Sequence, residues 1–486
     1  MKKSIVSWLS VAVSTSILSV CPVNGQLDPG QLPLVQAEHL EYRGAFRVPL
    51  EAGIPSEEHF SYGGRALCYH PANDSLFLTG HVYYQKVAEI SIETPVLSST
   101  LSELPRATLI QSLEDPTDGH RAEIGPDGSA VSGVHIGGLW LHGSELIGSV
   151  YMYYDAGGGA ERSHFRTGTD LSASDDFEGM FRLGSMNPGF LAGYVTAVPV
   201  EWQSLFGGPL ISGQCGLPIV GRGSWGPSIF TFDPSLFGIE TPVPVQPLVY
   251  YTGEHATLGE WDNQSVENHY YNMSSEVHGA VFPAGTRSVL IFGRQGMGVP
   301  HYGQGTNDPS LHLQPVPGGG EVYVYDPADS SKGTHCWPYA YFVWAYDAAQ
   351  LAQVRAGTLQ PWELIPYAVW EMELPFAGPS SSHRFGGAAW DAENRTIYLS
   401  QYLAEGGLPV IHVYQLADEL NPNASSVLAP VGNRSIPAGQ PLQITVQGSD
   451  ADGNTLQYSA TGELVPDLSF SNDNVTLTQF CHDSDI

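Results

Sequence analysis

The sequence predicts an all-β chain, and three observations carry this. Apolar patterning with the period of a helix is almost absent. The chain is cut into short apolar or alternating runs by 55 glycines and 36 prolines among 486 residues. One phrase also recurs: a Gly pair or small residues, an apolar strand, a turn rich in Pro, Asp, Asn or Gly, and a second apolar strand. Copies of the phrase occupy 62–79, 135–150, 277–292 and 384–400, and a degenerate fifth begins at 193–196.

A third strand with alternating aromatics follows several of these pairs, at 87–92, 229–234, 342–347 and 410–414. Helix is expected only over 348–356, which ends on Gly357, and over 202–206. Meanders that cannot bury both faces alone stack as repeats. Residues 38–417 are therefore expected to form a six- or seven-bladed β-propeller with long insertions. A β-sandwich with one large insertion accounts less well for the fourfold phrase. The Gly pairs would let inner strands of neighbouring blades approach closely. The isolated strand at 42–48 would pair with 411–415 and so remove a free sheet edge.

The first 25 residues read as a secretory signal: Lys2 and Lys3, an apolar stretch over 5–20, and small residues ahead of Gln26. The apolar stretch falls short of the ~20 residues of a membrane span. A lipoprotein signal through Cys21 is disfavoured by the bulk of Val20. The protein is thus expected to be secreted or held at the cell surface, as a monomer with no transmembrane span. Its formal charge of −31 excludes a phosphate-backbone partner, because no cationic excess exists to release counterions. Cys68, Cys215, Cys336 and Cys481 are far apart. Export permits disulfides, spacing does not assign any, and buried free thiols are the favoured reading.

Composition shifts after Leu416. A polar linker spans 418–428, and 429–460 then places a strand, the turn Asp450-Ala451-Asp452-Gly453-Asn454 and a further strand in order. This segment resembles the dystroglycan-type cadherin-like and putative immunoglobulin-like repeats of bacterial surface proteins. The resemblance implies a β-sandwich module over 429–486, apparently truncated, because such a domain needs about 90 to 100 residues. It also implies calcium ligands at Asp450, Asp452 and Asn454, whose oxygens on a tight Gly turn suit a hard cation. An Asp/Asn-rich turn without metal is the alternative.

Aligning the repeated phrases puts Tyr62 and Arg65, His135, His278, and His383 with Arg384 at equivalent positions near the expected hub. Convergent neutral imidazoles would bind a transition metal or act as base and acid. The arginines would suit a carboxylate-bearing ligand. Hydrogen bonding between blades is the structural alternative. Tyr151, Tyr153 and Tyr154, and aromatics in the insertions such as Tyr251, Trp261, Tyr271, Tyr339 and Tyr341, would stack on sugars or fill the core. No Walker loop, dinucleotide fingerprint or nucleophile elbow is present.

Two functions follow as expectations. The first is a secreted or cell-surface protein that binds a polysaccharide or cell-surface glycan at the propeller mouth, with a calcium-binding adhesion module. The second rests on analogy to propeller polysaccharide lyases. In it, His135, His278, Tyr151 and Arg384 act on a uronate-containing glycan, and Tyr62, Arg65 and His383 bind it.

Overall fold

The computed structural model describes residues 28–50, 58–216, 222–253, 270–378 and 381–418, a few single positions besides, and several C-terminal strands by backbone alone. Among the described residues the chain is all-β, with two short helices, α1 (Val200–Phe206) and α2 (Ala348–Arg355), where helix was expected.

After an N-terminal strand, β1 (Leu40–Arg47), the chain builds four-stranded antiparallel sheets one after another. The first joins β2 (Leu67–His70), β3 (Ser75–Thr79), β4 (Val87–Ser91) and β5 (Leu109–Glu114). The second joins β6 (Val134–His142), β7 (Glu145–Met152), β8 (His164–Gly168) and β9 (Glu178–Phe181). The degenerate copy of the phrase opens the third: β10 (Val195–Ala197), β11 (Leu210–Ser212), β12 (Ile229–Phe232) and β13 (Val245–Val249). The fourth begins with β14 (Glu276–Val281) and β15 (Ser288–Gly296). It is interrupted by a separate three-stranded sheet of β16 (His301–Thr306), β17 (Tyr323–Tyr325) and β18 (Lys332–His335). It resumes with β19 (Tyr339–Asp347) and β20 (Ala368–Met372). The fifth joins β21 (Phe385–Asp391), β22 (Thr396–Glu405) and β23 (Leu408–Leu416), and takes β1 as its fourth strand.

The described residues therefore hold five such sheets, where six or seven were expected. Insertions account for the difference. The β16–β18 sheet and the long connections within the first four sheets take up the chain between the repeated phrases.

The pairing of β1 with β23 was expected and is present. It runs antiparallel from Leu40 opposite Leu416 to Arg47 opposite Val410. The core lies between sheets rather than at one centre. Leu76 and Leu78 of the first sheet pack with Ala389, Tyr398 and Ile411 of the fifth. Cys68 and Phe77 meet Ile136, Leu139 and Phe165 of the second. Ile147 meets Phe230 and Phe232 of the third, Ile211 and Ile229 meet Ile291 and Trp344 of the fourth, and Leu290 and Val343 meet Ile397 and Leu399 of the fifth. Each sheet thus buries both faces against two neighbours, and the order of contacts returns to where it began.

The Gly pairs explain how the first strands come together. A Cβ on Gly138 would strike the backbone of Gly193 and Val195 beside β10, and one on Gly387 would strike Ala66 and Leu67 of the first sheet. A Cβ on Gly279 would lie 2.7 Å from that of Ala388. The register shifts by one residue at the same place in β6, β14 and β21. Such bulges re-aim the residues ahead of them, and those residues carry the candidate chemistry.

The stretch 1–25 read as a secretory signal, most of 418–428 read as a linker, and Asp450, Asp452 and Asn454 lie outside the described residues. No helix among the described residues is long and apolar enough to cross a membrane.

Candidate functional site

Four of the first strands, together with the loops leading into them, deliver their early residues to one polar neighbourhood. On β14, Glu276 and His278 are two residues apart, so both side chains leave the same face. Arg294 on β15 lies directly opposite Glu276. Its Nη2 donates to Glu276 Oε1 at 2.9 Å, its Nε donates to the Ser274 carbonyl, and its plane covers the Tyr339 ring at 4.2 Å. Arg384, just ahead of β21, reaches in from the next sheet. It donates Nε to Glu276 Oε2 at 2.9 Å and Nη2 to Oε1 at 2.8 Å. Glu276 is buried, which alone would raise its pKa, but Arg294 and Arg384, then His278, hold it well below the usual carboxylate range.

His278 Nε2 lies 3.1 Å from Glu276 Oε2, and its Nδ1 lies 3.1 Å from Cys215 Sγ. Against burial, which would lower it, the neighbouring Cys215 and Glu276 raise the His278 pKa. Against burial, which would raise it, His278, Arg65 and the Tyr151 hydroxyl lower that of Cys215. Both shifts narrow the gap between the thiol and the imidazole. The other described cysteines differ: burial pushes both Cys68 and Cys336 up to about 12.

Arg65 completes the cluster. Its Nη1 donates to the Tyr151 hydroxyl at 3.4 Å, and its guanidinium lies over the Tyr402 ring at 5.2 Å. Its Nε is buried without a partner, as is Nη1 of Arg294. Burial would lower the Arg65 pKa, but Tyr151, Tyr402 and Cys215 more than offset it. Arg294 and Arg384 thus flank one carboxylate and Arg65 stands near Arg384, leaving two formal positive charges in excess. Moving the proton from Cys215 to His278 does not alter that excess.

His135 on β6 is the register partner of Tyr151 on β7, with ring centroids 5.8 Å apart. Its Nδ1 lies 3.0 Å from Gln85 Nε2. Burial, then Arg65 and Arg121, lower its pKa to about 4, so the ring is neutral at neutral pH. Burial raises the Tyr151 pKa well above its ordinary value, so that phenol keeps its proton. Tyr153 follows, 6.3 Å from His135. From Gln85 a short loop leads back to His81, which packs edge-on against Tyr62 and lies beside Tyr83 and Tyr84. Tyr62, Tyr83, Tyr84, Tyr153 and Tyr154 are all exposed, Tyr83 by 80%.

The structure therefore brings Arg65, His135, Tyr151, His278 and Arg384 into one neighbourhood, with Tyr62 at its margin. His383 is turned aside: its Nδ1 donates to the Ser381 carbonyl and its ring packs on Tyr341. Among the described residues no group of three or more His, Cys, Asp or Glu is placed to hold a metal. In the chain Cys215–His278–Glu276, both imidazole nitrogens are already engaged. Tyr251, Tyr271, Tyr339 and Tyr341 are core residues, and Trp261 lies outside the described residues.

Sequence reasoning passed over Glu276, Arg294 and Cys215. Period-2 spacing from His278 points to Glu276, and strand pairing then points to Arg294. Cys215 follows the degenerate third-sheet copy and carries no such signal.

No protein-family model and no curated protein matches the chain. Among solved structures, a luciferin-regenerating enzyme aligns over 74% of this chain and 93% of its own, at 7% identity and a TM-score of 0.31. A glycosyl hydrolase from Bacteroides ovatus aligns over 80% and 92%, at 8% identity and a TM-score of 0.34. Scores this low carry no argument about fold or function.

Proposed function

We propose that the five sheets are the blades of a five-bladed β-propeller, and that its hub face binds an anionic glycan through uronate carboxylates. The cyclic packing of the sheets and the glycine-mediated approach of their first strands support the propeller. One observation carries the ligand class: a chain with a charge of −31 sets Arg294 and Arg384 on a single carboxylate and a third arginine, Arg65, near Arg384, with Arg65 Nε left unpartnered. A carboxylate would use the spare guanidinium donors. The exposed tyrosines would lie against sugar rings, an amphipathic contact that aromatic side chains make well.

The test is affinity electrophoresis through polygalacturonate and through a neutral glucan. The uronate polymer should retard the protein and the glucan should not. Arg65→Ala should abolish retardation, and Tyr83→Ala or Tyr153→Ala should weaken it. Equal retardation by both polymers, or an unchanged Arg65→Ala variant, would refute the proposal.

A second reading, a lyase on the same polymer, is favoured by the pairing of His135 with Tyr151. Neutral His135 would take the proton on the carbon next to the uronate carboxylate, with Arg65 stabilising the charge that develops. Protonated Tyr151 would hand its proton to the departing glycosidic oxygen as the C–O bond breaks and a C=C bond forms. Unsaturated product absorbing in the ultraviolet should then appear, and disappear in His135→Ala. No product from any uronate polymer would leave binding alone.

Export to the cell exterior and a calcium-binding adhesion module at 429–486 belong to the same proposal. They rest on the sequence alone.

A further inference from the structure

We propose that Cys215, His278 and Glu276 form a nucleophilic triad that attacks the carbonyl carbon of an acyl ester. This goes beyond the glycan reading and does not depend on it. The geometry is that of an activated thiol: nucleophile and base 3.1 Å apart, with the second imidazole nitrogen 3.1 Å from a buried carboxylate. Glu276, ionised between two arginines, can only accept, so His278 Nε2–H donates to it. That fixes Nδ1 as the nitrogen facing Sγ. Cys215 is half-buried and lines a small pocket with Tyr151, Tyr153, Asp155 and Arg222. The Tyr151 hydroxyl and Arg65 flank the sulfur, where donors to a developing oxyanion are needed. Cys68 and Cys336 are free as well but fully buried, and have no such surroundings.

The thiolate forms an S–C bond to the carbonyl carbon. As the tetrahedral species collapses, the C–O bond breaks and the alcohol departs with the proton of His278 Nδ1. Water then attacks the thioester while Nδ1 takes its proton. The C–S bond breaks, the carboxylic acid leaves, and thiolate and imidazolium are restored. The net reaction is ester plus water to acid plus alcohol. The groups that set the charge state of the pair are Arg65 and Tyr151 beside Cys215, and Glu276, with Arg294 and Arg384 behind it, beside His278.

The test uses the intact chain. Iodoacetamide labelling from pH 5 to 9, followed by peptide mapping, should modify Cys215 and spare Cys68 and Cys336. At pH 6 the rate should exceed that of glutathione by at least about tenfold, because an ordinary thiol is almost wholly protonated there. With p-nitrophenyl acetate, a burst of one p-nitrophenolate per chain should accompany an acetyl mass on the Cys215 peptide. Cys215→Ser should lose both signals, and His278→Gln should lose the labelling below pH 7 while keeping that at pH 9. Labelling of Cys215 that follows the ordinary thiol curve overturns the activated pair. Fast labelling without the acetyl mass overturns the acyl chemistry. Neither result touches retardation by the uronate polymer, so the two proposals fail separately.

Discussion

Glu276 holds Arg384 by both carboxylate oxygens, at 2.9 and 2.8 Å, although the two residues belong to different sheets and lie 108 positions apart. The pair ties β14 to the start of β21 and, through Arg294 and His278, sets the charge of the whole cluster.

Removing one side of this pair should destabilise the fold. Arg384→Ala is expected to cost about 1–3 kcal/mol, less than the 3–5 kcal/mol of a lone buried pair, because Arg294 and His278 still face Glu276. The urea midpoint measures it. The Glu276 pKa is depressed in the folded state, so its contribution is complete above the unfolded value of about 4.3 and lost as pH falls below that. Glu276→Gln should therefore flatten the loss of stability below about pH 4.

The buried histidines act over a higher range. His164 and His412 are fully buried, and burial lowers each pKa to about 3. His164 is held between Ser163 and Ser212, and His412 between Tyr42 and Gln401. Depressed values mean that stability is complete above the unfolded pKa of about 6.5 and falls as pH drops toward 3. Each should contribute a slope of up to about 1.4 kcal/mol per pH unit between those limits. His278, whose pKa is raised, has the opposite sign: its contribution is complete below about 6.5 and lost as pH rises through the folded value. Urea midpoints from pH 4 to 9 should show maximal stability near neutrality. His412→Gln should shed part of the acid slope.

Gly138→Ala and Gly387→Ala should each cost at least about 1–3 kcal/mol, the cost of overpacking, because the new methyl group meets backbone of the adjoining sheet. Gly320→Ala, with open space around its Cβ and no left-handed backbone, should stay within about 0.5 kcal/mol of the parent protein. Thermal denaturation of the three variants decides.

Phe46, fully buried on β1 among Leu67, Leu76 and Ile411, should cost about 3–5 kcal/mol when replaced by Ala. Near-normal melting in Phe46→Ala would show that the β1–β23 pairing is dispensable.

Much of the fold was legible because repetition is visible without coordinates. The phrase around Gly63-Gly64, Gly137-Gly138, Gly279 and Gly386-Gly387 located four first strands, and its faint copy at 193–196 located the fifth. The outermost strands β5, β9, β13 and β20 were not legible, since each carries little alternation and no glycine phrase precedes it. Four of the six hub residues chosen by alignment meet in one cluster, because equivalent positions on stacked repeats converge in space. The alignment weighed imidazoles and arginines by type, and so missed the carboxylate that orders them. Glu276 is invisible as an isolated residue and becomes evident once strand pairing sets Arg294 opposite it.

The union of β1 with β23 has a kinetic consequence. The segment 40–47 leaves the ribosome well before its partner, 408–416. Until then the nascent chain carries an unpaired strand early on and an unfilled sheet margin later, both open to neighbouring chains. Release of a sound molecule depends on its earliest strand waiting, shielded, for its latest.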